Sequence, residues 1–125
     1  MPITRLDHVN LRTSQLEAMI AWYEDVLGLE NGARPDFGFP GAWLYAGEFA
    51  IVHLVDASGD AGAGSEAALK LEHFAMRATD AAGFEVRLTA RGEDYKRSTI
   101  DALGLVAFNI WDPDGNHIHV DFTDG

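Results

Sequence analysis

From Ile3 to Arg12 the chain alternates: His8, Asn10 and Arg12 face one way, Val9 and Leu11 the other. The pattern predicts a strand with one polar and one apolar face, because strand side chains switch sides at every residue. The period then changes. Leu16, Met19, Ile20, Tyr23, Val26 and Leu27 recur at helical spacing, Ser14 with Glu17 reads as a capping box, and Gly28 closes the helix. A weak strand is expected over 29–37, broken near Pro35. Short strands over 42–46 and 49–55 follow, with Trp43 and Tyr45 sharing one face and Ile51, His53 and Val55 another.

The same order returns in the second half. A strand is expected over 70–77. A helix capped by Thr79 or Asp80 carries Phe84, Val86 and Leu88 and ends at Gly92. Strands over 95–100 and 103–111 precede the turn Asp112-Pro113-Asp114-Gly115-Asn116. In the closing strand, 117–122, His117, His119 and Asp121 share a face opposite Ile118, Val120 and Phe122. Between the halves, 57–69 is rich in Gly, Ala and Ser and reads as a linker. The chain is thus expected to be one domain over 1–125, with module one at 3–56 and module two at 70–123.

The repeat is visible residue by residue. Leu6-Asp7-His8 returns as Leu71-Glu72-His73, and Arg12 returns as Arg77. Val52-His53-Leu54-Val55 is matched by Ile118-His119-Val120-Asp121. Two copies of one supersecondary unit are implied.

Composition narrows the chemistry. At 125 residues the chain is long enough for one real core. It has no Cys, so a transition-metal site must use His, Asp or Glu. The net charge of -11 disfavours nucleic acid and anionic membranes as partners. No apolar run has the length of a membrane span, and no secretory signal opens the chain, so a cytoplasmic location is expected. The linker has no phosphate-loop pattern, which argues against nucleotide binding.

Four of the five histidines occupy repeat-equivalent positions: His8 with His73, and His53 with His119. All four lie on the strand face opposite the helices. In a sheet curved around a cavity they converge, and imidazole is a common ligand for divalent first-row metals. The same residues are equally compatible with ordinary strand histidines copied by duplication. Around them, Asp121 and His117 each stand two residues from His119, about 6.6 Å along the strand, as candidate proton acceptors. Tyr95 is a candidate proton donor. Arg34 is a candidate anion anchor, and Trp43 and Tyr45 are candidate walls of a hydrophobic pocket.

The segments Leu6-Asp7-His8-Val9, Trp22-Tyr23-Glu24-Asp25-Val26-Leu27-Gly28-Leu29 and Asp112-Pro113-Asp114-Gly115-Asn116 resemble those of the vicinal oxygen chelate superfamily, which holds glyoxalases, bleomycin-resistance proteins and extradiol dioxygenases. The resemblance runs from Ile3 to Phe122. A glyoxalase-like branch with Arg-Pro, Gly-Ala-Trp-Leu-Tyr and His-Leu segments is similar at Arg34-Pro35, Gly41 to Tyr45 and His53-Leu54. The resemblance implies an α+β fold of two βαβββ modules, forming a curved mixed sheet or incomplete barrel around a central cavity. It also implies a homodimer, and metal ligands on the first and last strands of each module, here His8, His53, His73 and His119. At His119 the relatives carry Glu.

The resulting expectation is a glyoxalase-like lyase or isomerase dependent on a divalent ion (zinc, iron, nickel or manganese). Its small-molecule substrate would chelate the ion through vicinal oxygens, and an enolate-type intermediate would be stabilised by the Lewis acid. Two alternatives are an Fe(II) ring-cleaving dioxygenase and a non-catalytic binding or resistance protein.

Overall fold

The structure is a computed structural model in which residues 2, 4–57 and 71–123 are described. The chain divides into two compact units, Met1–Ala63 and Gly64–Gly125. The expected linker lies outside the described residues except for Ala57.

Unit one runs β1 (Val9–Thr13), α1 (Leu16–Asp25), β2 (Glu30–Gly32), β3 (Gly41–Ala46) and β4 (Phe49–Asp56). Its sheet order is β1-β4-β3-β2, with β1 parallel to β4 and the other pairs antiparallel. Unit two repeats this with β5 (Phe74–Arg77), α2 (Ala81–Arg91), β6 (Tyr95–Ile100), β7 (Leu105–Trp111) and β8 (His117–Phe122). Its order is β5-β8-β7-β6, again with only the first pair parallel. The fold is α+β, two βαβββ modules with one four-stranded mixed sheet each. Among the described residues no hydrogen-bonded barrel closes, and no helix is long and apolar enough to cross a membrane.

Each sheet has one apolar face, and this produces the core. In unit one, Ala42, Leu44, Val52 and Leu54 are buried together with Met19, Trp22, Tyr23 and Val26 of the helix segment. Full burial of an aliphatic side chain such as Leu44 or Val52 contributes about 1.5–3 kcal/mol. In unit two, Phe84 of α2 meets Phe108 and Phe122 at ring centroid distances of 5.5 and 5.4 Å. Phe108 and Phe122 also meet edge to face. The alternate residues of the same strands are thereby left on the opposite face.

Several local expectations change. Ser14 does not cap α1. The buried Thr13 hydroxyl accepts from the Gln15 backbone N–H at 3.0 Å, and Gln15 becomes the N-cap without a side-chain cap bond. β1 begins at Val9, so His8 stands just before it. β2 holds only three residues, and the following loop carries Arg34, Phe37 and Phe39. Asp80 rather than Thr79 caps α2. Its carboxylate accepts from Gly83 N–H at 3.1 Å, and a Cβ on Gly83 would collide with that carboxylate. A 3₁₀ turn at Asp101–Leu103, closed by Gly104 at φ +63, delays β7 to Leu105.

Candidate functional site

In unit two, Ile118, Val120 and Phe122 are buried against the helix side, so alternation sends His117, His119 and Asp121 to the other face. The register sets Asn109 opposite His119 and Trp111 opposite His117. His73, just before β5, stacks on His119 with centroids 4.0 Å apart and planes within 8°. His117 meets His119 at 4.9 Å, and Trp111 stacks on His117 at 5.2 Å. One ring nitrogen from each of His73, His117 and His119 lies within 4.8 Å of the others.

Polar neighbours orient these rings. Glu72 Oε2 accepts from His73 Nδ1 and lies 3.3 Å from His117 Nδ1. Asn109 Nδ2 donates to the Lys96 carbonyl at 3.1 Å, which leaves Asn109 Oδ1 to accept from His117 Nε2 at 3.0 Å. The network therefore assigns the His117 proton to Nε2 and the His73 proton to Nδ1. The electron pair of His117 then lies on Nδ1, facing a carboxylate oxygen. The donor set fits a divalent first-row ion held by three imidazoles, with outer carboxylate and amide partners fixing the rings. Burial, and then the charges of His73 and His117, hold the His119 imidazole below the usual histidine range. The hydrogen bond from His73 holds Glu72 below the usual carboxylate range.

Asp121 continues the face beyond His119, and its Oδ1 is buried without a hydrogen-bond partner. Tyr95 is not on this face. It pairs with the buried Ile110, packs beside Phe108 and donates to Glu85 of α2 at 2.9 Å. As a proton donor at the histidine face it is corrected: the alternation of β6 carries it to the helix side.

Unit one presents the same face with different groups. His8 stacks on His53 at 3.8 Å, and Trp43 stacks on the other side of this short column at 4.2 Å from His53. Asp7 Oδ2 accepts from His8 Nδ1 at 2.7 Å, and His53 Nε2 donates to the Ala50 carbonyl at 3.1 Å. Burial lowers the His53 pKa, and His8 adds to the effect. Among the described residues only unit two brings three such ligands together.

Beside the His53 column lies a cavity of about 170 Å³, lined in part by Asn10, Arg34, Phe37, Phe39, Trp43 and His53. Arg34 and Trp43 both line this cavity. Tyr45 is not among the lining residues. Its hydroxyl donates to the Ala33 carbonyl at 2.6 Å, and its ring lies over Gly32, where a Cβ would be 2.8 Å from it. Tyr45 tethers the start of the Arg34 loop.

Two βαβββ modules with imidazoles gathered on the open sheet faces define a glyoxalase-type protein. The chain belongs to the Glyoxalase/Bleomycin resistance protein/Dioxygenase superfamily, whose family model matches residues 5–120. It is 28% identical over 123 residues to "Glyoxylase I 4" of Arabidopsis thaliana, covering 94% of this chain and 70% of that protein. Its fold is similar to a glyoxylase/bleomycin resistance protein/dioxygenase domain from Frankia, with a TM-score of 0.79 at 16% identity over 97% of this chain and 93% of the other. It is also similar to a lactoylglutathione lyase from Agrobacterium tumefaciens, with a TM-score of 0.71 at 23% identity over 98% and 96% of the two chains.

Proposed function

We propose that this protein is a divalent-metal-dependent enzyme of the glyoxalase type, a lyase or isomerase acting on a small molecule that chelates through vicinal oxygens. The observation that carries the reading is the cluster of His73, His117 and His119, with Glu72 and Asn109 setting the tautomers. His117 thus changes role, from candidate base to ligand. When bound, the ion supplies Lewis-acid polarisation of a substrate oxygen.

The remaining roles belong to the chain. His73 and His117 present preset electron pairs, which reduces the reorganisation needed on binding. Asp121 Oδ1, buried and without a partner, is the group placed to accept a proton from substrate. Trp111, stacked on His117, holds that ring and shields one side of it. Family membership supports the reaction class, since proton transfer next to a polarised oxygen is what such a donor set and carboxylate can perform.

The test is elemental analysis of purified protein, beside His73→Ala, His117→Ala and His119→Ala. Wild type should retain one ion per chain, and each variant should lose it. Unchanged metal in all three variants would defeat the assignment. Turnover of small vicinal-oxygen compounds should then stop on chelation and return on reloading. A loaded protein that binds such compounds without converting them would be a binding protein instead.

A further inference from the structure

The cavity of unit one is chemically unlike the histidine cluster of unit two. Arg34 stands at its edge. Its Cζ lies 5.0 and 5.1 Å from the ring centroids of Phe37 and Phe39, within cation–π range. Its Nη1 donates to the Phe39 carbonyl at 3.1 Å, and its Nε is buried without any hydrogen-bond partner. Among the described residues Arg34 makes no ion pair, in a chain with 20 acidic and 9 basic residues. The buried Nε is out of a ligand's reach, but Nη2 makes no hydrogen bond among the described residues, so it is the guanidinium donor left for an acceptor from outside.

The backbone is shaped to keep the guanidinium there. A Cβ on Gly41 would lie 2.8 Å from Arg34 Nη2 and 3.0 Å from its Cζ, and would also collide with the Leu54 carbonyl. Glycine leaves that space to the side chain. Beside the charge the walls are flat and aromatic. Phe37 and Phe39 stack at 5.8 Å, Phe37 lies 6.2 Å from Trp43, and both phenylalanines are about half exposed. Exposed aromatic rings around one cation are a recognition surface rather than a core. The volume, about 170 Å³, is below the ~300–1,000 Å³ of pockets for drug-sized ligands and matches a ligand of one ring.

We propose that this cavity binds a single-ring aromatic carboxylate, with the carboxylate on Arg34 and the ring against Phe37, Phe39 and Trp43. The assignment stands on unit one alone and holds with or without metal at the histidine cluster of unit two. It names the class of small molecule the protein recognises.

Benzoate is the probe, titrated into the full chain by calorimetry in the presence of excess chelator. Saturable binding to wild type is expected, with a loss of at least about tenfold in Arg34→Gln, the scale of a lost charged hydrogen-bonding partner. Benzyl alcohol, which keeps the ring, and inorganic phosphate, which keeps the charge, should each bind at least tenfold more weakly. Phe37→Ala with Phe39→Ala should weaken benzoate while phosphate is unchanged. Near-UV circular dichroism establishes that each variant is folded, and Arg34→Lys serves should Arg34→Gln not fold, with the same expected loss. The proposal is overturned by absence of saturable benzoate binding, by equal affinity in wild type and the folded Arg34 variant, or by phosphate or benzyl alcohol binding as well as benzoate. Because chelator is present throughout, these results are independent of whether unit two holds a metal.

Discussion

The two units share a scaffold and diverge at a few cross-strand positions. In both, the last strand carries a histidine on its open face, His53 in one and His119 in the other, each stacked on the histidine that precedes the first strand. In both, an acidic residue just ahead of that histidine accepts from its Nδ1. The difference lies beside them. The partner of His53 across β3 is Trp43, whereas the partner of His119 across β7 is Asn109. Two residues before His53 stands Ile51, and two before His119 stands His117. Trp43 lines an organic cavity on one face, and Ile51 offers no donor where His117 does. An amide and an imidazole make the other a ligand cluster. The strand framework sets where side chains point, and two substitutions per unit set what they can hold.

The sharpest way to break this comparison is to give unit two the residue of unit one. His117→Ile removes the proposed ligand and puts in its place a β-branched residue suited to the strand. Metal affinity should fall by more than about 100-fold, exceeding the roughly 10–100-fold effect of losing an outer partner. Competition with a chromophoric chelator measures it. An affinity equal to wild type would mean that His117 is only a wall of the site.

A smaller effect is expected from Asn109→Leu. The ring of His117 loses its acceptor for Nε2–H, so the tautomer with the electron pair on Nδ1 is no longer enforced. Affinity for the ion should fall by about 10-fold to 100-fold with stoichiometry unchanged. Loss of stoichiometry would instead make Asn109 necessary for the fold of β7.

Gly41→Ala sharpens the other side. The added methyl meets the Leu54 carbonyl and the Arg34 guanidinium. Stability should drop by about 1–3 kcal/mol, as for other overpacked sites. Urea unfolding reads that cost, and the metal content of the folded fraction should not change.

Much of this architecture was legible in the chain. Alternation in 8–12 and 117–122, the helical spacing of Met19 to Val26 and the Asp-Pro-Asp-Gly-Asn turn each follow from local rules, and the module order came with them. Which face holds the histidines was legible too, because Val52 and Leu54 alternate with His53. What was not legible depended on neighbours in space. Pairing residues by the repeat favours positions that match, so His117, opposed in the repeat by Ile51, reads as a candidate base, and only the geometry shows it within 4.8 Å of His73 and His119. Glu72 and Asp7 recur at the same place, yet only the geometry shows that both fix an imidazole tautomer. Phe37 and Phe39 look like turn residues until Arg34 is seen beside both rings. Tyr95 is carried to the helix side by strand register, and Tyr45 is tied down by its hydrogen bond to the Ala33 carbonyl.

The finest test of the comparison concerns what the two units have in common. Burial lowers the pKa of both His53 and His119 from the ordinary histidine value of 6.5. In the unfolded chain both return to that value. Below it the unfolded state binds protons that the folded state resists, so folding stability is fully present above pH 6.5 and declines as pH falls through the lowered native values. Metal-free protein should therefore show a level melting temperature above pH 6.5 and a falling one below it. His53→Gln should remove part of that slope and leave the His119 part. With metal bound, protons and the ion compete for the unit-two imidazoles. Added metal should then steepen the slope attributed to His119 and leave the His53 part unchanged, which separates the two faces by one titration in each state. A slope in His53→Gln identical to wild type would mean that His53 takes no part in the acid sensitivity.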